Sequence, residues 1–425
     1  MAHHAVKSGY VQMVERLNRF PQGAPPSEVL YQILALLLSE QEAAVVALLP
    51  IRPFTAREAA QRLKVNPADA QKTLETLASR ALLVDFEQRG EQMYVLPPPM
   101  AGFFEFALMR VRGDLNQQLY SELLYQYLNV EMDFVTALFG RGHTQLGRTF
   151  VQERALAPEQ ALHVLDYERA SEVIKRAEHL AVGMCYCRHK MQHLDRACDA
   201  PMDICLTLNT TADSLSRHGH ARRIDVAEGF DLLQMAYDCH LVQFGENVRE
   251  GGSFICNCCG CCCEALIAAR HFGILMPVHT TNFLPVVDIS ACTGCGKCVN
   301  RCPVEAMTLV SANDPHQPNK RKARVLTELC LGCGVCVSAC PTRAIRLQSR
   351  PQRVLTPLNS AHRLVLMAVE RGNLADLIFD NRVLWTHRAL AAVLNALLRL
   401  PPLKQVLANQ QLKSRYFEAL VTRFA

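Results

Sequence analysis

The chain has 425 residues, half of them apolar and a fifth charged, with a formal charge of +5. At about 150 residues per domain that length implies roughly three domains, and the composition excludes both an intrinsically disordered chain and a collagen-like repeat. No apolar run approaches the 18 or so residues of a membrane span; the densest are 43–49 and 29–38, the second broken by Tyr31 and Gln32.

Residues 1–20 lack the apolar core of a secretory signal, so the expected location is cytoplasmic. Nineteen cysteines all fall between Cys185 and Cys340. In a reducing compartment, thiols so clustered point to metal rather than to disulfides. The positive charge is uneven as well: residues 351–425 hold ten Lys or Arg against Glu370, Asp376, Asp380 and Glu418. Such a tail is a solvated helical cap or a surface that attracts an acidic redox partner.

Pro25-Pro26-Ser27 opens an apolar-rich helix to about Leu38, and Ser39-Glu40-Gln41-Glu42 reads as a capping box for another. Thr55-Ala56-Arg57-Glu58 is a second capping box, for a helix to about Leu63. Asn66-Pro67-Ala68-Asp69 then supplies an N-cap, a proline at the first helical position and an acid in the first turn. Ala70, Leu74, Leu77 and Ala81 share one face of that helix, and strand-like 82–86 and 92–96 flank a turn at Arg89-Gly90. This order resembles a winged helix-turn-helix. DNA binding through 55–96 would need a basic footprint, yet residues 51–96 carry seven Lys or Arg against six acids. A docking role is the expected one.

Residues 101–180 read as helical, with Phe103, Phe104, Phe106 and Met109, then Leu119, Leu123, Leu124 and Leu128, at the spacings of core stripes. Beyond them Cys185-Tyr186-Cys187 places two thiols on one face of an extended segment, and with Cys198 and Cys205 these would make one four-thiol site for a third 4Fe–4S cluster. His189 and His193 stand close enough in sequence to face it, as hydrogen-bonding or solvated groups before ligands. Six further thiols crowd into eight residues: Cys256, Cys258, Cys259, Cys261, Cys262 and Cys263. Neighbouring side chains diverge, so the six cannot all ligate one cubane, and they run into a helix-like 264–271 whose free N–H groups favour an anionic cluster. Cys239 stands alone and reads as a core residue.

The strongest signal is a repeat. Cys292-x2-Cys295-x2-Cys298-x3-Cys302-Pro303 recurs as Cys330-x2-Cys333-x2-Cys336-x3-Cys340-Pro341, the run whose fourth cysteine ligates the other of two 4Fe–4S clusters. One cluster is then expected on Cys292, Cys295, Cys298 and Cys340, the other on Cys330, Cys333, Cys336 and Cys302. Gly294, Gly296, Gly332 and Gly334 allow the close backbone approach. Residues 288–348 resemble a bacterial-type dicluster ferredoxin, with an insert at 311–324 whose Lys320-Arg321-Lys322 run reads as a solvated hairpin. The tail after Pro351 is helical by pattern, with 389–400 stopped by Pro401-Pro402.

The CYCRHK stretch at 185–190, Cys198-Asp199-x-Pro201, CNCCGCCC at 256–263 and Met100-Ala101-Gly102-Phe103-Phe104-Glu105, together with the repeat, resemble a family of multi-cluster ferredoxin-like proteins of anaerobic bacteria. The resemblance implies iron–sulfur binding and redox activity. The expected fold is multidomain and mainly α with small α+β parts. Its segments are a winged helix-turn-helix over 1–100, a helical connector over 101–180, a cysteine-rich α/β cluster domain over 181–287, the dicluster ferredoxin domain over 288–348 and C-terminal helices over 349–425. The expected function is a redox carrier or an oxidoreductase subunit serving a redox partner protein. A redox- or iron-responsive regulator acting through the winged helix and a cluster scaffold are the other readings. No G-x-G-x-x-G or Walker A run is present, so one-electron chemistry is what the residues support.

Overall fold

The computed structural model describes residues 7–140, 142–162, 164–273 and 277–378. The chain divides into two compact units, one of 1–144, 213–221 and 361–425, the other of 145–212 and 222–360. The expected helix at 389–400 and its proline stop lie outside the described residues. Among the described residues no single helix is long and apolar enough to cross a membrane.

In the first unit the local signals become helices where the caps are. Ser27 accepts the Leu30 N–H and starts Glu28–Leu37, while Ser39 and Thr55 form reciprocal capping boxes with Glu42 and Glu58 for Glu40–Leu48 and Ala56–Leu63. Asn66 caps Pro67–Ser79, which has its proline in the first turn. Each such cap satisfies N–H groups that the helix itself cannot. The hairpin Val84–Gln88 with Glu91–Val95 follows, and Phe54–Thr55 pairs with its second strand, so the three-stranded order is first, third, second. The helix Gly9–Leu17 adds a layer that the opening residues did not signal.

The stretch from 101 is not the continuous helical connector its apolar spacing suggested. It runs through short turns at Pro99–Phe103 and Phe106–Leu108, then Gln117–Tyr125 and Met132–Phe139, and after the unit boundary contributes a strand, Gly147–Thr149. Ala101 takes a left-handed φ of 61°, and Glu105 folds back to accept the Ala101 and Gly102 N–H groups. That turn buries Phe103 and Phe104, and Phe104 meets Tyr127 and Phe134 edge-on. The aromatic core is as expected; prolines 97–99 and the turn set its backbone.

The second unit holds a six-stranded sheet, antiparallel at every pairing, in the order Gly147–Thr149, Val242–Glu246, Phe254–Cys258, Asp203–Leu208, Leu180–Met184, Arg222–Arg223. One face buries Leu180, Val182, Leu206, Leu208 and Ile255 against Ile174, Leu232, Leu233 and Tyr237 of the helices Ala170–Arg176 and Val226–Asp238. Alternation sends Cys205, Cys256 and Cys258 to the other face. The remainder of the unit is a near-symmetric pair. Phe283–Val287 pairs with Ile345–Ser349, Met307–Ser311 pairs with Arg321–Val325, and the short helices Lys297–Arg301 and Val335–Ser338 each follow a cysteine loop.

Inside the first unit, Asp85 is buried and accepts from Ser214 Oγ at 2.7 Å, Arg217 Nη1 at 2.9 Å and His218 Nε2 at 3.0 Å. Burial pushes its carboxyl up, but the Arg217 and Ser214 hydrogen bonds outweigh this and hold it below its ordinary value. A carboxyl so lowered contributes stability above its unfolded pKa of about 3.9 and loses it as pH falls through the folded value. Asp85→Ala should therefore cost about 1–3 kcal/mol at neutral pH by denaturant unfolding of the full chain, because it strands buried donors. The difference from wild type should shrink in acid; a variant equally stable at pH 7 would contradict this.

Candidate metal centres

The repeat builds its sites from backbone. Gly294, Gly296, Gly332 and Gly334 all have φ between 72° and 87°, a region that a side chain disfavours. A β-carbon at Gly294 would run into the Arg321 carbonyl, and one at Gly332 into the Phe283 carbonyl and the Thr281 hydroxyl. The loops so curled turn N–H groups onto the sulfurs. Ala306 N donates to Cys302 Sγ at 3.2 Å and Ala323 N to Cys292 Sγ at 3.5 Å, while Gly332 and Val335 serve Cys330 and Cys333. Burial pushes the Cys302, Cys330, Cys333 and Cys336 thiols up, at Cys330 against the opposing charge of Arg350.

Cys302 sits with the second triplet rather than its own: its charge bears on Cys330, Cys333 and Cys336, whereas Cys298 is influenced by Cys292 and Cys295. The thiols of the repeat, held on loops curled at glycine and met by N–H groups, suit two iron–sulfur cubanes. The insert is a hairpin, but not a wholly solvated one. Lys322 is buried with Nζ donating to the Cys292 carbonyl, and Ala323 supplies the N–H to that cysteine's sulfur. Around the second triplet, Arg350 donates to the Cys330 carbonyl at 2.6 Å and Thr281 to that of Gly332 at 2.8 Å. Neither Lys322 nor Arg350 belongs to a cysteine motif, so only their basic charge near the repeat could have signalled them.

The central cysteines are arranged otherwise. Cys185 ends its strand at Met184 and caps the helix Tyr186–His193, so Cys187 lies in a first helical turn and not on an extended segment. Cys263 likewise caps Glu264–His271. These two helix starts stand near the strand cysteines, and six thiols influence one another's ionisation in a ring: Cys185 is linked with Cys187 and Cys205, Cys263 with Cys187 and Cys258, and Cys256 with Cys205 and Cys258. Ionisation alternates around it. Hydrogen bonds from both neighbours hold Cys185, Cys256 and Cys263 down, Cys256 to about 6, while donating to those neighbours raises Cys205 and Cys258. At Cys187 burial is the larger cause of the rise.

The remaining four form a separate quartet. The sulfurs of Cys198, Cys259, Cys261 and Cys262 all lie within 4.8 Å of one another, with Cys261 and Cys262 at 3.7 Å. A single tetrahedral ion with metal–sulfur bonds of about 2.3 Å would set its sulfurs about 3.8 Å apart, so the quartet has the size of one ion. The expected grouping of Cys185, Cys187, Cys198 and Cys205 thus divides: Cys198 goes to the quartet, the others to the ring. Arg188 is fully buried; burial pushes its pKa down, but the charges of Cys185, Cys259, Cys205 and Cys258, from both groups, outweigh this and raise it. It donates to the carbonyls of Pro201 at 2.8 Å and Asn257 at 2.7 Å. His189 and His193 stack on each other with ring centroids 4.8 Å apart. Cys239 is exposed rather than in the core, at the rim of a cleft of about 750 Å³ that brings Cys198, Cys259 and Cys261 opposite Asn300, Arg301 and Cys302.

Residues 291–344 match the family of the 4Fe-4S dicluster domain. No curated protein and no solved structure matches the chain. The match and the eight thiols agree: this part of the chain carries two 4Fe–4S clusters. Gly332→Ala should lower the iron of the anaerobically purified dicluster domain from about eight to about four per chain, since only the second loop is distorted. Unchanged iron would show that the loop tolerates a β-carbon.

Proposed function

We propose that the protein is an iron–sulfur electron-transfer protein, a redox carrier or the subunit of an oxidoreductase, that serves a redox partner protein. In this reading Cys292, Cys295, Cys298 and Cys340 hold one cluster, and Cys302, Cys330, Cys333 and Cys336 the other. Bound there, the clusters supply one-electron chemistry at low potential. The central cysteines hold further metal and form the inner end of the path.

The observation that carries the proposal is the contact at Gly260. A β-carbon there would lie 2.8 Å from the Pro303 carbonyl oxygen, so the turn of the CNCCGCCC stretch rests directly on the residue that follows Cys302. Arg270 holds the two together, donating to the Gly260 carbonyl at 3.0 Å and pairing with Glu305. Cys259 and Cys302 then line one cleft. The chain keeps this junction short by packing backbone on backbone, the approach that only glycine permits.

We assign the N-terminal helices and hairpin a winged-helix docking role. Asp69 and Glu75 stand exposed beside Lys72 on Pro67–Ser79, and acids on that face would repel a phosphate backbone. A redox-dependent gel shift with DNA would instead favour the regulator.

The test is rapid mixing of the anaerobic full chain with a reduced low-potential ferredoxin. Gly260→Val should leave the iron of the dicluster domain in place and slow reduction of the central metal about tenfold, as a barrier raised by roughly 1.4 kcal/mol would. Equal rates in variant and wild type would remove the proposed path.

A further inference from the structure

We propose that Cys198, Cys259, Cys261 and Cys262 are the four ligands of a single thiophilic divalent ion, zinc or iron, held in a tetrahedral site without sulfide. The inference rests on the reading that the central cysteines hold further metal. It goes beyond that reading by naming four thiols that act together and by assigning them one ion rather than a third cubane.

Distance comes first. The four sulfurs all lie within 4.8 Å of one another, and those of Cys261 and Cys262 are 3.7 Å apart. Thiolates on a single tetrahedral ion, each about 2.3 Å from it, stand about 3.8 Å apart. In a cubane each thiolate binds a different iron, so the four are spread by the separation of the irons and their bridging sulfides. A set this close has room for one ion and none for a four-iron core. All four are free thiols, so no disulfide gathers them.

The fold brings the four together from two segments. Cys259, Cys261 and Cys262 occupy the turn between the strand Phe254–Cys258 and the helix Glu264–His271. The turn closes through the Cys263 N–H, which donates to the Cys259 carbonyl at 3.3 Å. Cys198 comes from the loop between the helix Tyr186–His193 and the strand Asp203–Leu208. One side chain clamps the two segments. Arg188, fully buried, donates to the carbonyl of Pro201, three residues after Cys198, and to that of Asn257, two residues before Cys259. A second arginine holds the turn from outside, Arg270 donating to the carbonyl of Gly260, which lies between two of the ligands.

Coordination chemistry then selects the ion. Four sulfurs this close can all ionise only with a cation among them, and a bound ion deprotonates the thiols it meets. Four thiolates in tetrahedral array suit zinc or iron, whereas magnesium and calcium take oxygen. The set is also complete: four protein ligands close a tetrahedral ion and leave no open position for substrate.

The experiment is iron, zinc and acid-labile sulfide analysis of the anaerobically purified full chain. Wild type is compared with the double variant Cys198→Ser with Cys262→Ser, which removes one ligand from each segment, and with Cys239→Ser, which removes an exposed thiol of the same cleft outside the quartet. The double variant should lose one ion per chain and no sulfide, while the dicluster iron, about eight per chain, remains and shows that it has folded. C239S should lose nothing. Zinc or iron in the lost fraction identifies the ion. Unchanged metal in the double variant, or the same loss from C239S, would overturn the proposal. Loss of about four irons together with about four sulfides would mean a cubane; that outcome overturns the proposal but leaves standing the reading that this region holds metal. Wild type with only the dicluster iron and sulfide would defeat both. A second readout needs no variant. Cys239 and Cys261 are both exposed, so alkylation of the native chain under anaerobic conditions with a phosphine reductant should label Cys239 and spare Cys261. Labelling of Cys261 at the rate of Cys239 would overturn the proposal.

Discussion

A buried thiolate must meet a positive partner, and the second unit is built around that requirement. Removing a charge from water costs several kcal/mol unless something replaces the solvent. The repeat replaces it with backbone dipoles: the loop curled at its left-handed glycines turns N–H groups of Gly332 and Val335 onto sulfur, the chain after Cys302 supplies that of Ala306, and the insert hairpin that of Ala323. The central region uses the starts of two helices and a buried guanidinium. Cys185 and Cys263 stand at helix N-termini, where the unpaired N–H groups of the first turn favour a negative charge. Both solutions set a favourable field around the thiols.

The polar groups behind the ring keep its strands in register. Asn257 points away from Cys256 and Cys258, donates to the Ile204 carbonyl at 2.7 Å and accepts from Gln243 at 3.1 Å. Its own carbonyl receives Arg188. The adjacent buried pair, Lys190 with Glu264, links the helix whose first turn carries Cys187 to the helix that Cys263 caps. A buried pair of this kind adds little net stability over an apolar one, but leaving one partner alone costs about 3–5 kcal/mol. Its effect is to fix one arrangement of the helices, and therefore one arrangement of the thiols.

What the sequence displayed depended on whether the chemistry was local. The caps at Ser27, Ser39, Thr55 and Asn66 involve residues three apart, and each helix begins where those residues place it. The ferredoxin loops are equally local, since two-residue gaps and glycines carry their geometry. The grouping of the central thiols is not. Cys198 joins Cys259, Cys261 and Cys262 across some sixty residues because the sheet pairs Asp203–Leu208 with Phe254–Cys258, and no spacing rule encodes that register. The reading of Cys185 and Cys187 as one face of a strand failed for a related reason: Arg188, His189 and Lys190 can be buried only with partners from other segments, and those partners make the segment helical. Cys239 was misplaced because a lone cysteine in an apolar neighbourhood looks like core, whereas it follows the last turn of Val226–Asp238 and opens onto the cleft.

The two halves of the unit share one topological device. In the assignment proposed for the repeat, the fourth cysteine of each run serves the other triplet, so neither set closes without the other segment. The central thiols are interleaved in the same sense. Along the chain, Cys198 of the quartet falls between ring members Cys187 and Cys205, and the run Cys259, Cys261, Cys262 falls between Cys258 and Cys263 of the ring. On the reading that both groups bind metal, a filled ring would fix both ends of the turn that carries the quartet and so remove most of the loop-closure entropy the quartet would otherwise have to overcome. A filled quartet would in turn anchor the loop between the helix Tyr186–His193 and the strand Asp203–Leu208, and so restrain the approach of Cys205 to Cys185. Interleaving thus couples the centres through chain connectivity, with no need for the two groups of thiols to touch.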